Sequence, residues 1–355
     1  MTRIAYLINS VEGGGAALPA ARIIEFLRSR GFDVKLFALT RRDGRALPAF
    51  EAAGIPVEVR DGGETDNLAT FWWVRRALAE FRPDLVWTSL TRATLIGQLA
   101  AGSIPLVSWQ HAAFLKPVNR RLLRLLQRRS ALWIADSESV ARLTGERLGV
   151  DPDRLLVWPL FAAYPNAPRP IPWLEGQAVR MGSLGRLHPV KGYDVLIAAL
   201  GRLEGRAELD VTIAGEGQER DALAALARAA GVKLALPGFA ADPQAFLAGL
   251  HLYVQPSRSE GLCVAAHEAM AAGLPVIGSA VGEMANSIVA GTGLTVPPAD
   301  PEALGAAINE MISRPEQLAE IGARGRARVL DRFGPVRFEQ AGDAVVERIR
   351  KILAG

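Results

Sequence analysis

Gln255-Pro-Ser-Arg-Ser-Glu260-Gly-Leu-Cys-Val-Ala-Ala-His-Glu268 sets two carboxylates eight positions apart. They straddle the junction between an apolar run, Leu252-Tyr-Val254, and an alanine-rich run from Leu262 to Ala272. The first run reads as a strand end, and the second as a buried helix stopped by Gly273-Leu-Pro275. The first N–H groups of a helix have no partner within it and favour an anion. The backbone N–H groups of Leu262 and Cys263 are therefore expected to face a phosphate at the carboxyl edge of a sheet. Glu260 falls in the loop at that edge, and Glu268 lies about two turns into the helix. A carboxylate suits a vicinal diol as N–H groups suit phosphate, so the stretch describes a site for a nucleotide-sugar.

Working outward, the same strand-to-helix alternation recurs along the chain. In the first half, strands are expected at Ile4–Ile8, Val34–Leu39, Leu85–Thr88, Leu106–Trp109, Leu132–Ala135 and Leu155–Trp158. In the second they are expected at Arg180–Leu184, Val211–Ala214, Leu234–Leu236, Leu252–Val254, Val276–Ile277 and Leu294–Val296. Strands alternating with helices indicate a parallel sheet with both faces covered. Between the halves lies Tyr164-Pro-Asn-Ala-Pro-Arg-Pro-Ile-Pro172, the composition of a semi-rigid linker. A long helix is expected over residues 335–353, with Phe338, Ala341, Val345, Ile349 and Ile352 as its apolar set. The fold class is α/β: two Rossmann-like parallel-sheet domains facing a cleft, with ligands expected at the carboxyl ends of the strands.

Other loops fall at such ends. Gly185-Arg-Leu-His-Pro-Val-Lys-Gly192 follows the first strand of the second half and opens a helix. A nucleoside diphosphate leaving a sugar gains negative charge, and Arg186 and Lys191 are cations of the right type and spacing to stabilise it without a metal. Gly215-Glu-Gly217 and Pro237-Gly-Phe239 close the next two strands; each alone is a turn, but Phe239 stands where a loop could border a flat base. In the first half, Gly13-Gly-Gly15 follows strand one, but Leu18 breaks the Gly-x-Gly-x-x-Gly spacing, which argues against a nicotinamide cofactor. His111 comes just after the strand ending at Trp109, and it reads either as structural or as a site residue. His188, His251 and His267 lack metal-ligand spacing, and Asp151-Pro-Asp153 reads as turn chemistry. No metal and no cofactor is expected.

The chain has 355 residues, half of them hydrophobic, and a net charge of +4. No run of 18 or more apolar residues suggests a spanning helix, and the start of the chain reads as a strand rather than a signal peptide. One cysteine, Cys263, excludes an internal disulfide, which fits a cytoplasmic location. No acidic residue occurs between Asp84 and Asp136, whereas Arg92, Lys116, Arg120, Arg121, Arg124, Arg128 and Arg129 do. No nucleic-acid motif accompanies that charge. Over Lys116–Arg129, helical rotation separates Leu122, Leu123, Leu125 and Leu126 from Arg120, Arg121, Arg124 and Arg128. The leucines are expected to pack inward with the arginines solvated or facing an anionic membrane surface.

Together the Gly-Arg-Leu…Lys-Gly segment, Gly-Glu-Gly, Pro-Gly-Phe, the Glu260/Glu268 element and Ala271-Ala-Gly-Leu-Pro-Val-Ile277 resemble the family 4 retaining glycosyltransferases, which have the GT-B fold. The resemblance covers nearly the whole chain. It implies an acceptor domain over residues 1–166, a linker over 167–174, a donor domain over 175–333 and a helix over 334–355 that crosses back to the first domain. It implies that Arg186 and Lys191 bind the donor diphosphate, that Glu268 binds the ribose hydroxyls and that Glu260 contacts the donor sugar. The backbone of Leu262, Cys263 and Val264 would lie near sugar and phosphate, with Gly217 and Phe239 at the donor. Gly14 and Gly15 would border phosphate and acceptor, and His111 the sugar in transfer. The implied partners are a nucleotide-sugar donor such as a UDP-sugar and a glycan or lipid-linked acceptor, in envelope polysaccharide or glycolipid synthesis. Val281-Gly-Glu-Met284 departs from the family's Gly-Gly-x-Pro-Glu-like turn. A nucleotide-sugar epimerase of the same architecture, or a catalytically silent membrane-bound partner, are the alternative readings.

Overall fold

The structure is a computed structural model that describes residues 1–111, 115–203 and 209–355. The chain divides into two compact units, one comprising Met1–Phe161 with Phe338–Gly355 and the other Ala162–Arg337.

The first unit is built on seven strands: β1 (Thr2–Ser10), β2 (Phe32–Thr40), β3 (Val57–Val59), β4 (Leu85–Ser89), β5 (Leu106–Gln110), β6 (Leu132–Ala135) and β7 (Leu155–Val157). Between them run α1 (Ala17–Ser29), α2 (Leu47–Ala52), α3 (Asn67–Phe81), α4 (Thr91–Ala100), α5 (Pro117–Leu126) and α6 (Glu138–Leu148). All neighbours pair in parallel in the order β3-β2-β1-β4-β5-β6-β7, so the winding reverses between β1 and β4. Strands buried on both faces need continuous apolar runs, and Ile4 to Ile8 are all fully buried. On one face Trp87, Trp109 and Trp158 stack with Phe26 of α1. Phe338 joins that cluster, which is why the chain's last helix belongs to the first unit. The other face carries α3, α4 and α5, each packed on the next.

The second unit repeats the plan with six strands: β8 (Val179–Leu184), β9 (Leu209–Ala214), β10 (Leu234–Gly238), β11 (Leu252–Gln255), β12 (Val276–Ser279) and β13 (Gly293–Val296). Their order is β10-β9-β8-β11-β12-β13. The helices are α7 (Tyr193–Gly201), α8 (Arg220–Ala229), α9 (Pro243–Ala248), α10 (Val264–Ala272), α11 (Met284–Ser287), α12 (Pro301–Ile312) and α13 (Leu318–Phe333), before α14 (Pro335–Ala354). The proline-rich stretch is tied to this unit: Trp173 packs on its core, and Arg326 donates to the carbonyls of Ala271 and Pro165.

One expectation is corrected here. In α5 only Leu123 is buried among the leucines; Leu122 and Leu125 are exposed and Leu126 is half-buried. At 100° per residue Leu122 and Leu125 lie far round the helix from Leu123, on the side of Val118. The four leucines do not form one inward face.

Candidate functional site

A parallel sheet opens a crevice at its carboxyl edge where the strand order reverses. In the second unit that point falls between β8 and β11, so the loops 185–192 and 256–263 meet there. The Arg258 N–H donates to the Val190 carbonyl (2.8 Å), and its guanidinium grips Asp194 at 2.7 and 2.6 Å. Gly192 has φ +68°, and a Cβ on it would fall 2.0 Å from the Pro256 carbonyl oxygen. Only glycine permits this approach.

The two loops carry the charged residues singled out above. Lys191 Nζ lies 2.7 Å from Glu260 Oε1, and both side chains are largely buried. Burial alone would lower the Lys191 ammonium's pKa, but the Glu260 carboxylate outweighs it and holds it above the usual lysine range. Glu260 also accepts from Ser257 Oγ at 2.6 Å. Behind Ser257, the Gln255 amide donates to its hydroxyl (2.8 Å), and Tyr253 OH donates to the Gln255 carbonyl (2.7 Å). The Tyr253 oxygen in turn accepts from the Leu184 N–H at 3.1 Å. The carboxylate is therefore held from beneath by a polar chain running across the sheet to β8. Tyr253, Gln255 and Ser257 were not singled out from sequence. Tyr253 and Gln255 alternate on β11 and Ser257 continues the two-residue spacing just past its end, which is the signal that marks them.

Arg186 is exposed, and its guanidinium has no hydrogen-bond or ion-pair partner among the described residues. Glu268 is half-buried in α10 and likewise has no partner among them. Burial pushes its carboxyl up to about 7. A carboxyl group left without a partner among the described residues is suited to hydroxyls brought by a ligand, which can both donate and accept.

The helix expected from Leu262 begins at Val264, because Cys263 takes φ +62°, the left-handed region that ends regular winding. No side chain caps this start. The Leu262 and Cys263 side chains are buried, so their backbone is what this turn can offer, and burial pushes the Cys263 thiol up in pKa. The conformation is held from behind: His267 Nδ1 lies 2.9 Å from the Cys263 carbonyl oxygen and must donate to it. Its Nε2 then accepts from Ser287 Oγ (2.8 Å), which accepts from Arg332 (2.8 Å). Burial pushes His267 down to about 4, consistent with this neutral tautomer. Arg332 also binds Glu283 at 2.6 Å, and the Glu283 N–H donates to the Gly261 carbonyl at 2.8 Å. The departing turn at Val281-Gly-Glu-Met284 thus has a structural use, since Glu283 is fully buried and braces the Glu260–Cys263 loop.

Gly215 and Gly217 are required by packing: a Cβ on either would fall 1.9 Å from the Gly185 oxygen or 2.2 Å from that of Leu187. Phe239, just past β10, is exposed.

In the first unit, Gly14 and Gly15 adopt φ +136° and +54° after β1, and α1 follows without a side-chain cap. His111 stands just past β5, its Nε2 2.7 Å from Ser89 Oγ at the end of β4. Its Nδ1 lies 3.5 Å from Asp136 Oδ2, just past β6. Both ring nitrogens thus face neighbouring strand ends, and Ser89 and Asp136 escaped the sequence reading because strand adjacency, not spacing, brings them together. Asp151 lies 3.6 Å from Arg154 across a single turn, which is local turn chemistry.

Two doubly wound parallel-sheet units, the second carrying paired charges at its strand-order reversal, are the architecture of a glycosyltransferase, and the family comparisons give the class. Residues 174–328 match the model described as glycosyl transferases group 1, and residues 13–161 match glycosyltransferase family 4. The chain belongs to the family 4 glycosyltransferases of GT-B fold. Among curated relatives, the D-inositol 3-phosphate glycosyltransferase of Kineococcus radiotolerans is 26% identical over 89% of this chain and 86% of its own length. That of Segniliparus rotundus is 30% identical over 48% of this chain, a match spanning about 40% of the relative's length. Anabaena Alr3699/HepE in complex with UDP-glucose has the same fold, with a TM-score of 0.85 at 22% identity over 98% of this chain and 100% of that one.

Proposed function

We propose that the protein is a metal-independent, retaining hexosyltransferase that moves a sugar from a nucleotide-sugar to a hydroxyl of a glycan or lipid-linked acceptor. The observation that carries this reading is the buried Lys191–Glu260 pair at the strand-order reversal of the second unit, beside an uncapped helix start and the partnerless Glu268. Glu268 receives the ribose hydroxyls of the donor. Arg186, Lys191 and the start of α10 hold the diphosphate, and Glu260 contacts the sugar. The Gly14–Gly15 loop borders the phosphate and the acceptor, and His111 the sugar in transfer, with Phe239 near the base. The complexes of Anabaena Alr3699/HepE with UDP and UDP-glucose support a uridine donor.

In the reaction, the bond from the anomeric carbon to the phosphate oxygen breaks, and its electron pair stays on that oxygen. The acceptor oxygen bonds to the same face of the anomeric carbon and yields its proton to the departing phosphate oxygen. The products are a glycoside and a nucleoside diphosphate. Lys191 and Arg186, with the backbone N–H groups, stabilise the charge that grows on the leaving group. Envelope polysaccharide or lipopolysaccharide assembly at the inner face of the cytoplasmic membrane fits this chemistry, with Lys116–Arg129 holding the enzyme loosely to anionic lipid. The phosphatidylinositol-mannoside mannosyltransferase of Corynebacterium glutamicum among the relatives supports a lipid-linked acceptor.

A panel of sugar nucleotides, incubated with enzyme and glycan or lipid acceptors in the presence of chelator, tests the proposal. Released nucleoside diphosphate and a product with the donor's anomeric configuration are expected. A changed sugar nucleotide formed without acceptor would make it an epimerase, and absence of any nucleotide affinity would make it a silent partner.

A further inference from the structure

Six large apolar side chains stand exposed on the helix layer α3–α5 of the first unit: Leu68 and Trp72 on α3, Leu99 on α4, and Val118, Leu122 and Leu125 on α5. Exposure reaches 62% for Trp72 and 78% for Leu125, on helices that pack side by side against one sheet face. Large apolar side chains gathered on one helix layer, unlike ones scattered singly over a surface, point to an interaction site. Val118, Leu122 and Leu125 recur at i, i+4 and i+7, one row along the helix. On α3, Leu68, Trp72 and Arg75 repeat the same spacing. Arg92 fixes α3 and α4 together at their start, donating to Asn67, Asp66 and Thr70 from the first turn of α4.

Charge distinguishes this face from an ordinary protein-docking patch. Arg121, Arg124 and Arg128 form the row beside the apolar stripe of α5, with Arg120 beyond. None of these four side chains, nor Lys116 or Arg75, has a hydrogen-bond or ion-pair partner among the described residues. The acidic residue nearest in sequence to the start of α3, Asp66, is already taken by Arg60 and Arg92.

We infer that the α3–α5 face docks on an anionic lipid bilayer, with Trp72, Leu122 and Leu125 entering the headgroup–acyl boundary while the arginines meet the phosphates. The inference rests on the proposed membrane attachment of Lys116–Arg129 for the class of partner, and changes its nature. Attachment through solvated arginines alone is purely electrostatic; outward apolar side chains add insertion, and a tryptophan ring suits that depth. Arginine stems can lie along the apolar surface while their heads stay in the wet layer.

The test is co-sedimentation of the full chain with vesicles of phosphatidylcholine alone and of equimolar phosphatidylcholine and phosphatidylglycerol. Binding to the anionic vesicles is expected, and Leu122→Glu with Leu125→Glu should weaken it by roughly 10-fold or more. These positions are exposed, so the variant should fold, and unchanged nucleotide affinity would confirm that it has. Acyl-brominated phosphatidylglycerol should quench the wild-type fluorescence through Trp72, and Trp72→Phe should lose that quenching. Anionic binding that the double substitution leaves intact would overturn insertion, as would binding to phosphatidylcholine no weaker than to the anionic mixture. Equal binding to a soluble acidic polypeptide would replace the bilayer with a protein partner. Failure of transfer in the sugar-nucleotide panel with vesicle binding intact would sink the proposed reaction and leave this surface standing.

Discussion

Lys191 Nζ and Glu260 Oε1 stand 2.7 Å apart at the reversal of strand order in the second unit, on the loops that follow the paired strands β8 and β11. A cation neutralised by its neighbour attracts a free anion weakly, so under the proposed assignment a donor diphosphate would have to share or displace Glu260 to reach Lys191. On that assignment the carboxylate would be released toward the sugar hydroxyls, coupling the binding of the two ends of the donor.

Removing the cation separates these effects. Lys191→Ala should lower turnover by roughly 100-fold or more, as loss of a charge-stabilising donor does at other sites. Glu260→Gln should keep the Ser257 hydrogen bond, tighten nucleoside diphosphate binding by freeing Lys191, and weaken discrimination among donor sugars. Steady-state kinetics with calorimetric titration of the nucleotide checks both; wild-type turnover in Lys191→Ala would refute the assignment.

Glu268 gives a pH signature. Its carboxyl is raised from an ordinary 4.5 to about 7 by burial, so the folded protein holds a proton that the unfolded chain releases between those values. Stability therefore falls as pH rises through that window and stays lowered above it. Glu268→Gln, which cannot ionise, should be more stable than wild type at pH values above about 7, by roughly 1–2 kcal/mol, with the gap closing toward acid. The same change should weaken donor binding by about 1.5–3 kcal/mol and abolish its rise with pH. Thermal melts across pH, with and without nucleotide, read both; a melting temperature unaffected by the substitution at alkaline pH would contradict the account.

Arg332 and Glu283 brace the loop from behind. Arg332→Ala removes the cation from a fully buried carboxylate and should cost about 2–4 kcal/mol in urea unfolding. Adding Glu283→Gln should restore part of that stability, because the stranded charge is gone. If the two changes proved additive, the ion pair would not be the unit that holds the loop.

Gly192→Ala should cost about 2–4 kcal/mol, since its new methyl meets the Pro256 carbonyl at a positive φ. Gly54→Ala is the control: φ is +59° there, but nothing lies within 4 Å of the added carbon. It should cost about 1–2 kcal/mol. Equal losses would mean that backbone conformation, and not the contact with Pro256, makes Gly192 necessary.

Much of this architecture was legible because parallel strands buried on both faces write themselves as apolar runs. The expected strand over Leu132–Ala135 has the observed bounds of β6, and the others differ at their ends by no more than two residues. β3 escaped because Val57-Glu-Val59 is a half-buried edge with too little apolar sequence to stand out. Glu260, Lys191 and Glu268 were legible because they sit at loop and helix positions that only a ligand or an ion pair would use. Their pairing was not, for it depends on β8 and β11 lying side by side across 69 residues of chain. Ser89 and Asp136 beside His111 were hidden for the same reason. In α5 the leucines misled, because a run of adjacent leucines does not reveal which turn of the helix meets the sheet.

Phe338, Val345 and Ile349 fill the first unit's core from a helix that is translated only after the whole second unit has emerged. The sheet of the first unit must therefore wait, its tryptophan cluster open on one side, until residues 162–337 have been synthesised. A nascent chain stalled before that point would present an apolar surface to chaperones.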